Sequence, residues 1–110
     1  MSERILILRA GAVGDVVLGY PVLHGLRARD AGAHLCLAAR TEARLLAVAA
    51  GLADTERDLS DAFFAPLFAP AERAPCRALA DFVGSFDRVV SLLADPDGAI
   101  ARRLRAHGAG

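Results

Sequence analysis

Residues 9–23, RAGAVGDVVLGYPVL, place one carboxylate, Asp15, just behind a glycine-bearing loop and ahead of an apolar run. A carboxylate at the start of a helix is held in its ionised form by the unpaired backbone N–H groups there. It can then take a proton from a hydroxyl, as a general base. Glycosyl transfer with inversion needs that step, because the acceptor hydroxyl must lose its proton as it attacks. The alternative role for Asp15 is a plain N-cap that satisfies the orphan amides. Gly11 and Gly14 shape the loop before it, and Arg9 stands at its entrance. Arg9 suits the phosphates or acidic groups of an acceptor, or equally a surface ion pair. A second acidic loop, Asp95-Pro96-Asp97-Gly98, occurs near the end of the chain. Asp95 and Asp97 read first as caps of a following helix and second as binders of sugar hydroxyls.

Other chemistries fit poorly. A dinucleotide site needs G-x-G-x-x-G after the first strand and an acid at the end of the second. Here there is Gly11-Ala12-Val13-Gly14, and the second apolar run ends in AAR with no acid before Glu42. A phosphate-binding P-loop is excluded, since no Gly-Lys-Ser/Thr follows. Cys36 and Cys76 lack metal-ligand spacing and read as buried free thiols in a reducing compartment. His24, His34 and His107 have no partner at metal or catalytic spacing and read as solvated. Thirteen basic residues, all arginine, balance thirteen acidic ones, so the overall basic footprint of a nucleic-acid binder is missing. Arg102, Arg103 and Arg105 read as a solvated helix face, with anionic membrane contact as the lesser alternative. The start of the chain does not read as a signal peptide. The longest apolar run, LLAVAAGLA, is about half of a membrane span.

The elements that must position these residues alternate. The chain has 110 residues, 55% apolar, which suits one domain with a sizeable core. RILILR (4–9) is a continuous apolar run, as in a strand covered on both faces. Residues 15–29 read as a helix, with Val16, Tyr20, Leu23 and Leu26 on one face and Arg27 and Arg29 in its last turn. Pro21 falls inside it, and the expectation is a kink there. The alternative is a short turn over 15–19 that hands over to a helix beginning near Pro21. HLCLAA (34–39) reads as strand two. TEARLLAVAAG (41–51) reads as helix two, with Thr41 as N-cap and Gly51 as stop. A short third strand falls in 54–60. Residues 61–75 hold three prolines and read as an irregular connection that packs Phe63, Phe64 and Phe68 onto the body. A helix (76–86), strand four (87–93) and a last helix (95–108) follow.

That order predicts an α/β fold: a Rossmann-like open parallel sheet, strand order 3-2-1-4, with helices on both faces. Strands one and four are then neighbours. The loops carrying Gly11, Gly14 and Asp15, and Asp95 and Asp97, open on one crevice. Strand four becomes an apolar edge, which proteins avoid leaving open. The expectation is therefore a part of a larger fold, or an edge covered by a partner.

The stretch RILILRAGAVGDVVLGYPVLHGLR resembles the N-terminus of glycosyltransferase family 9, the ADP-heptose:lipopolysaccharide heptosyltransferases. The resemblance is carried by Arg9, Gly14, Asp15, Val16, Val17, Leu18, Pro21, Leu23, Leu26 and Arg27. SFDRVVSLLADPDG stands where many members have Tyr-Asp-x-Val-Ile-Asp-Leu-Gln-Gly, without the Gln. The resemblance implies a GT-B architecture in which residues 1–110 form the truncated, acceptor-side N-terminal domain. It implies Asp15 as catalytic base and a sugar or lipid-linked saccharide as acceptor. It implies a nucleotide-sugar donor bound by a C-terminal domain outside this chain, and no cofactor or metal. It implies a cytoplasmic protein, peripheral at the cytoplasmic face of the inner membrane, whose fragment alone is inactive. A non-catalytic α/β binding or interaction module is the alternative.

Overall fold

The structure, a computed structural model, describes residues 3–10, 17, 19–68 and 76–108. Four strands, β1 (Arg4–Arg9), β2 (His34–Ala39), β3 (Thr55–Asp58) and β4 (Arg88–Ser91), form one sheet. Its order is β3-β2-β1-β4, and every pairing is parallel. Ile5 to Leu8 of β1 face Arg88 to Ser91 of β4, so the first and last strands are direct neighbours. The continuous apolar reading of β1 is explained by burial on both faces, since Ile5, Leu6, Ile7 and Leu8 are all sealed from solvent.

Strand alternation splits the core in two. On one face Ile5, Ile7, Leu35, Leu37 and Ala39 meet Leu23 of helix α1 (Tyr20–Arg29) and Ala43 and Ala47 of α2 (Ala43–Ala49). On the other, Leu6, Leu8, Cys36 and Ala38 meet Phe64 and Leu67, Leu79 and Val83, and Leu104. Those come from a 3-10 turn (Ala62–Phe64) running into α3 (Ala65–Phe68), from α4 (Arg77–Gly84) and from α5 (Ala99–Ala106).

Several local expectations are corrected. The described part of the first helix begins at Tyr20, with Gly19 as N-cap and Pro21 in the first turn. No kink is needed, because a first-turn proline lacks only an amide that has no partner anyway. Thr41 does not cap α2. Glu42 holds the cap position without a side-chain bond, and the buried Thr41 hydroxyl has no partner among the described residues. Gly51 does end this helix, at a φ of +75° that suits glycine. The stretch 62–68 is helical rather than irregular. Asp61 caps its start by accepting from the Phe63 amide, 2.9 Å, and Pro66 falls early in α3. Residues 69–75 lie outside the described part. Cys36 is a buried free thiol, raised in pKa by that burial, and Cys76 is a half-buried one.

Candidate functional site

Open parallel sheets bind ligands beyond the C-terminal ends of their strands, where the strand order reverses. Here the reversal lies between β1 and β4. The expected catalytic Asp15 and the loop glycines Gly11 and Gly14 lie outside the described residues. The rims on either side of that segment are described. Arg9, half-buried at the end of β1, reaches across to β4, and its guanidinium donates to the Leu92 carbonyl at 3.3 Å. The Leu92 amide donates back to the Leu8 carbonyl at 2.8 Å. The two strand ends are thus tied together, and the chain leaving each must start from the same side of the sheet.

The second acidic loop is built around its own helix. Asp95 accepts from the Ile100 and Ala101 amides, both at 3.0 Å, one with each carboxylate oxygen. These two bonds hold its carboxyl below the usual carboxylate range, with Arg102 and Arg103 adding to the effect. Asp97 accepts from the Ala99 amide at 3.1 Å, and its carbonyl takes a bond from Arg102 at 2.9 Å. Gly98 supplies the turn between them at φ +73°. Both acids therefore act as caps of α5, the first of the two roles their spacing suggested.

A feature the sequence reading missed lies at the same end of the sheet. A recess of about 350 Å³ is lined by Arg40, Leu59, Ser60, Asp61, Ala62, Ala65 and Phe68. Arg40 directly follows β2 and Leu59 directly follows β3. The Arg40 guanidinium lies over the Phe68 ring, 4.8 Å from its centroid. The signal was available, because residues just past strand ends are the ligand-facing ones in this fold.

Two expectations about charged side chains are revised. His107 is buried rather than solvated, at 4% exposure. Its Nδ1 lies 2.7 Å from the Arg103 carbonyl, and its Nε2 accepts from the Cys76 amide at 3.0 Å. It thereby clips the end of α5 to the start of α4. Arg103 is half-buried and donates to the Leu67 carbonyl at 3.1 Å, tying α5 to α3. Arg102 and Arg105 remain exposed, as does His24. Among the described residues no group of His, Cys, Asp and Glu could hold a metal ion, and no helix is long and apolar enough to cross a membrane.

No protein-family model matches this chain, and no curated protein matches its sequence. Its fold does match a solved structure, that of the glycosyl transferase family 9 protein from Veillonella parvula. The TM-score is 0.63 at 16% sequence identity, over 99% of this chain and 31% of that one. The chain thus spans about a third of the length of the structure it resembles. At this identity the likeness concerns the fold, and it agrees in kind with the resemblance carried by residues 4–27.

Proposed function

We propose that this chain is the acceptor-side domain of an inverting glycosyltransferase, with Asp15 as the base that deprotonates the acceptor hydroxyl. The observation that supports this reading is the direct parallel pairing of β1 with β4, by which Arg9 and Leu92 leave the sheet from neighbouring strand ends. The donor is a nucleotide-sugar held by a second domain encoded beyond this segment, and the domain by itself transfers nothing. A heptose-type sugar and a lipopolysaccharide-core acceptor are the substrates suggested by the sequence resemblance. Arg9 and Arg40, at the strand ends, suit acidic groups on such an acceptor. Work at the cytoplasmic face of a membrane, with peripheral contact, belongs to the same reading.

The test is Asp15→Asn in the protein that carries both domains. Loss of a general base lowers turnover by about 10²–10⁴-fold, with the melting temperature unchanged. Turnover near that of the parent, with or without a loss of stability, rejects the base; a stability loss of about 1 kcal/mol alone assigns Asp15 to capping.

A further inference from the structure

The two helical layers are finished differently. The layer of α4 and α5 turns charge outward, with Arg77 and Asp81 exposed on α4 and Arg102 and Arg105 on α5. Side chains of that kind keep a helix face in water. The layer of α1 and α2 does the opposite. The large apolar side chains that stand exposed among the described residues are Val17, just ahead of α1, and Leu45 and Leu46 of α2, at 41, 48 and 59% exposure. Pro21, His24, Gly25 and Ala28 are the exposed positions beside them on α1. Neither helix carries an acidic side chain. Arg27 and Arg44 are turned aside into ion pairs with Asp54 and Glu56, each at 2.9 Å. A helix layer with leucines outward and its charges turned aside is one that another surface covers.

Two charges bound this face. Arg29 ends α1 and Glu42 precedes α2. Both are exposed, and neither side chain is hydrogen-bonded or ion-paired among the described residues. They stand at opposite ends of the face. The strands before α1 and α2 are parallel, and the Tyr20 hydroxyl donates to the Ala43 carbonyl at 2.7 Å, so the two helices start side by side. Arg29 then lies about 13 Å down α1 from that start, at roughly 1.5 Å per residue. A twofold axis lying in the face, perpendicular to the line from Arg29 to Glu42, exchanges the two positions. It brings Arg29 of each copy to Glu42 of the other and lays Leu45 and Leu46 near the Ala28 end of the facing α1. The face is complementary to itself in charge under that operation, and its apolar part is buried against its own kind.

We infer that the α1–α2 face is a dimer interface whose occupant is a second copy of this chain. Two short helices make a small interface, so the dimer is weak and depends on concentration. The inference is independent of the chemistry assigned to Asp15. The experiment is sedimentation velocity on the 110-residue chain over a concentration series. Monomer should give way to dimer below about 1 mM. Leu46→Asp should abolish the dimer. Arg29→Glu and Glu42→Arg should each raise the dissociation constant about tenfold, and the two together should restore it. Each reversal opposes its helix dipole, so a merely structural role would leave the double variant worse than either single one. A chain that stays monomeric up to about 1 mM overturns the inference. So does a dimer that Leu46→Asp leaves intact, or a double reversal without recovery. Monomeric protein that sediments with phosphatidylglycerol vesicles, and loses them in Leu46→Asp, makes a lipid surface the occupant and overturns it as well. The concentration series on the unsubstituted chain stands even if a variant fails to fold.

Discussion

At the scale of single residues, capping and clipping account for side chains that the sequence offered as chemistry. Both carboxylate oxygens of Asp95 are engaged by amides of α5, and one oxygen of Asp97 is as well. His107 shows the reverse case, a histidine with no sequence signal that holds two helices together. Its removal leaves the buried side of the Cys76 amide without an acceptor. His107→Ala should therefore cost about 1–3 kcal/mol in chemical denaturation. His24→Ala, at an exposed position of α1, should stay within about 0.5 kcal/mol of the parent. Equal effects of the two substitutions would remove His107 from the packing account.

At the scale of elements, prolines and aromatics decided what spacing left open. Pro21 was legible as a disturbance of a helix, but whether it kinks or starts one depends on where the preceding turn ends. The structure places it in the first turn, where its missing amide costs nothing. The stretch 61–68 looked irregular because it holds a proline and no helical period. It is helical because Phe64 and Leu67 are drawn into the core beneath it. Phe64 meets Phe63 and Phe82 edge-on, with centroids 5.2 and 5.8 Å apart, and is fully buried. Phe64→Ala should cost about 3–5 kcal/mol in thermal or urea unfolding, far more than an alanine at half-buried Phe68.

At the scale of the whole molecule, three carboxylates among the described residues link the fold to pH. Burial alone would raise Asp54, but bonds from the Leu35 amide and from Arg27 outweigh it and leave its carboxyl below the usual range. Asp58 is lowered by the hydroxyl and amide of Ser60, and Asp95 by the amides of Ile100 and Ala101. Each binds fewer protons folded than unfolded, so its stabilisation is complete above about pH 4, the ordinary carboxylate value, and is lost as pH falls through the lower folded values. The melting temperature should hold near neutrality and fall below about pH 4. In Asp95→Asn that fall should be shallower; an unchanged slope would remove Asp95 from this linkage. The sequence by itself determined the alternation of strands and helices, the parallel sheet and the order 3-2-1-4. Apolar runs and turn residues are local signals, and crossover handedness leaves few ways to assemble them. It also marked strand four as apolar, and β4 carries Val89 and Val90 at the edge of the sheet. Only the tertiary structure decided that Arg9 spans to Leu92, that Arg40 and Phe68 wall a recess, and that His107 is buried between α4 and α5. Those contacts join residues remote in the chain, and their partners are set by how the layers pack, which no local spacing encodes.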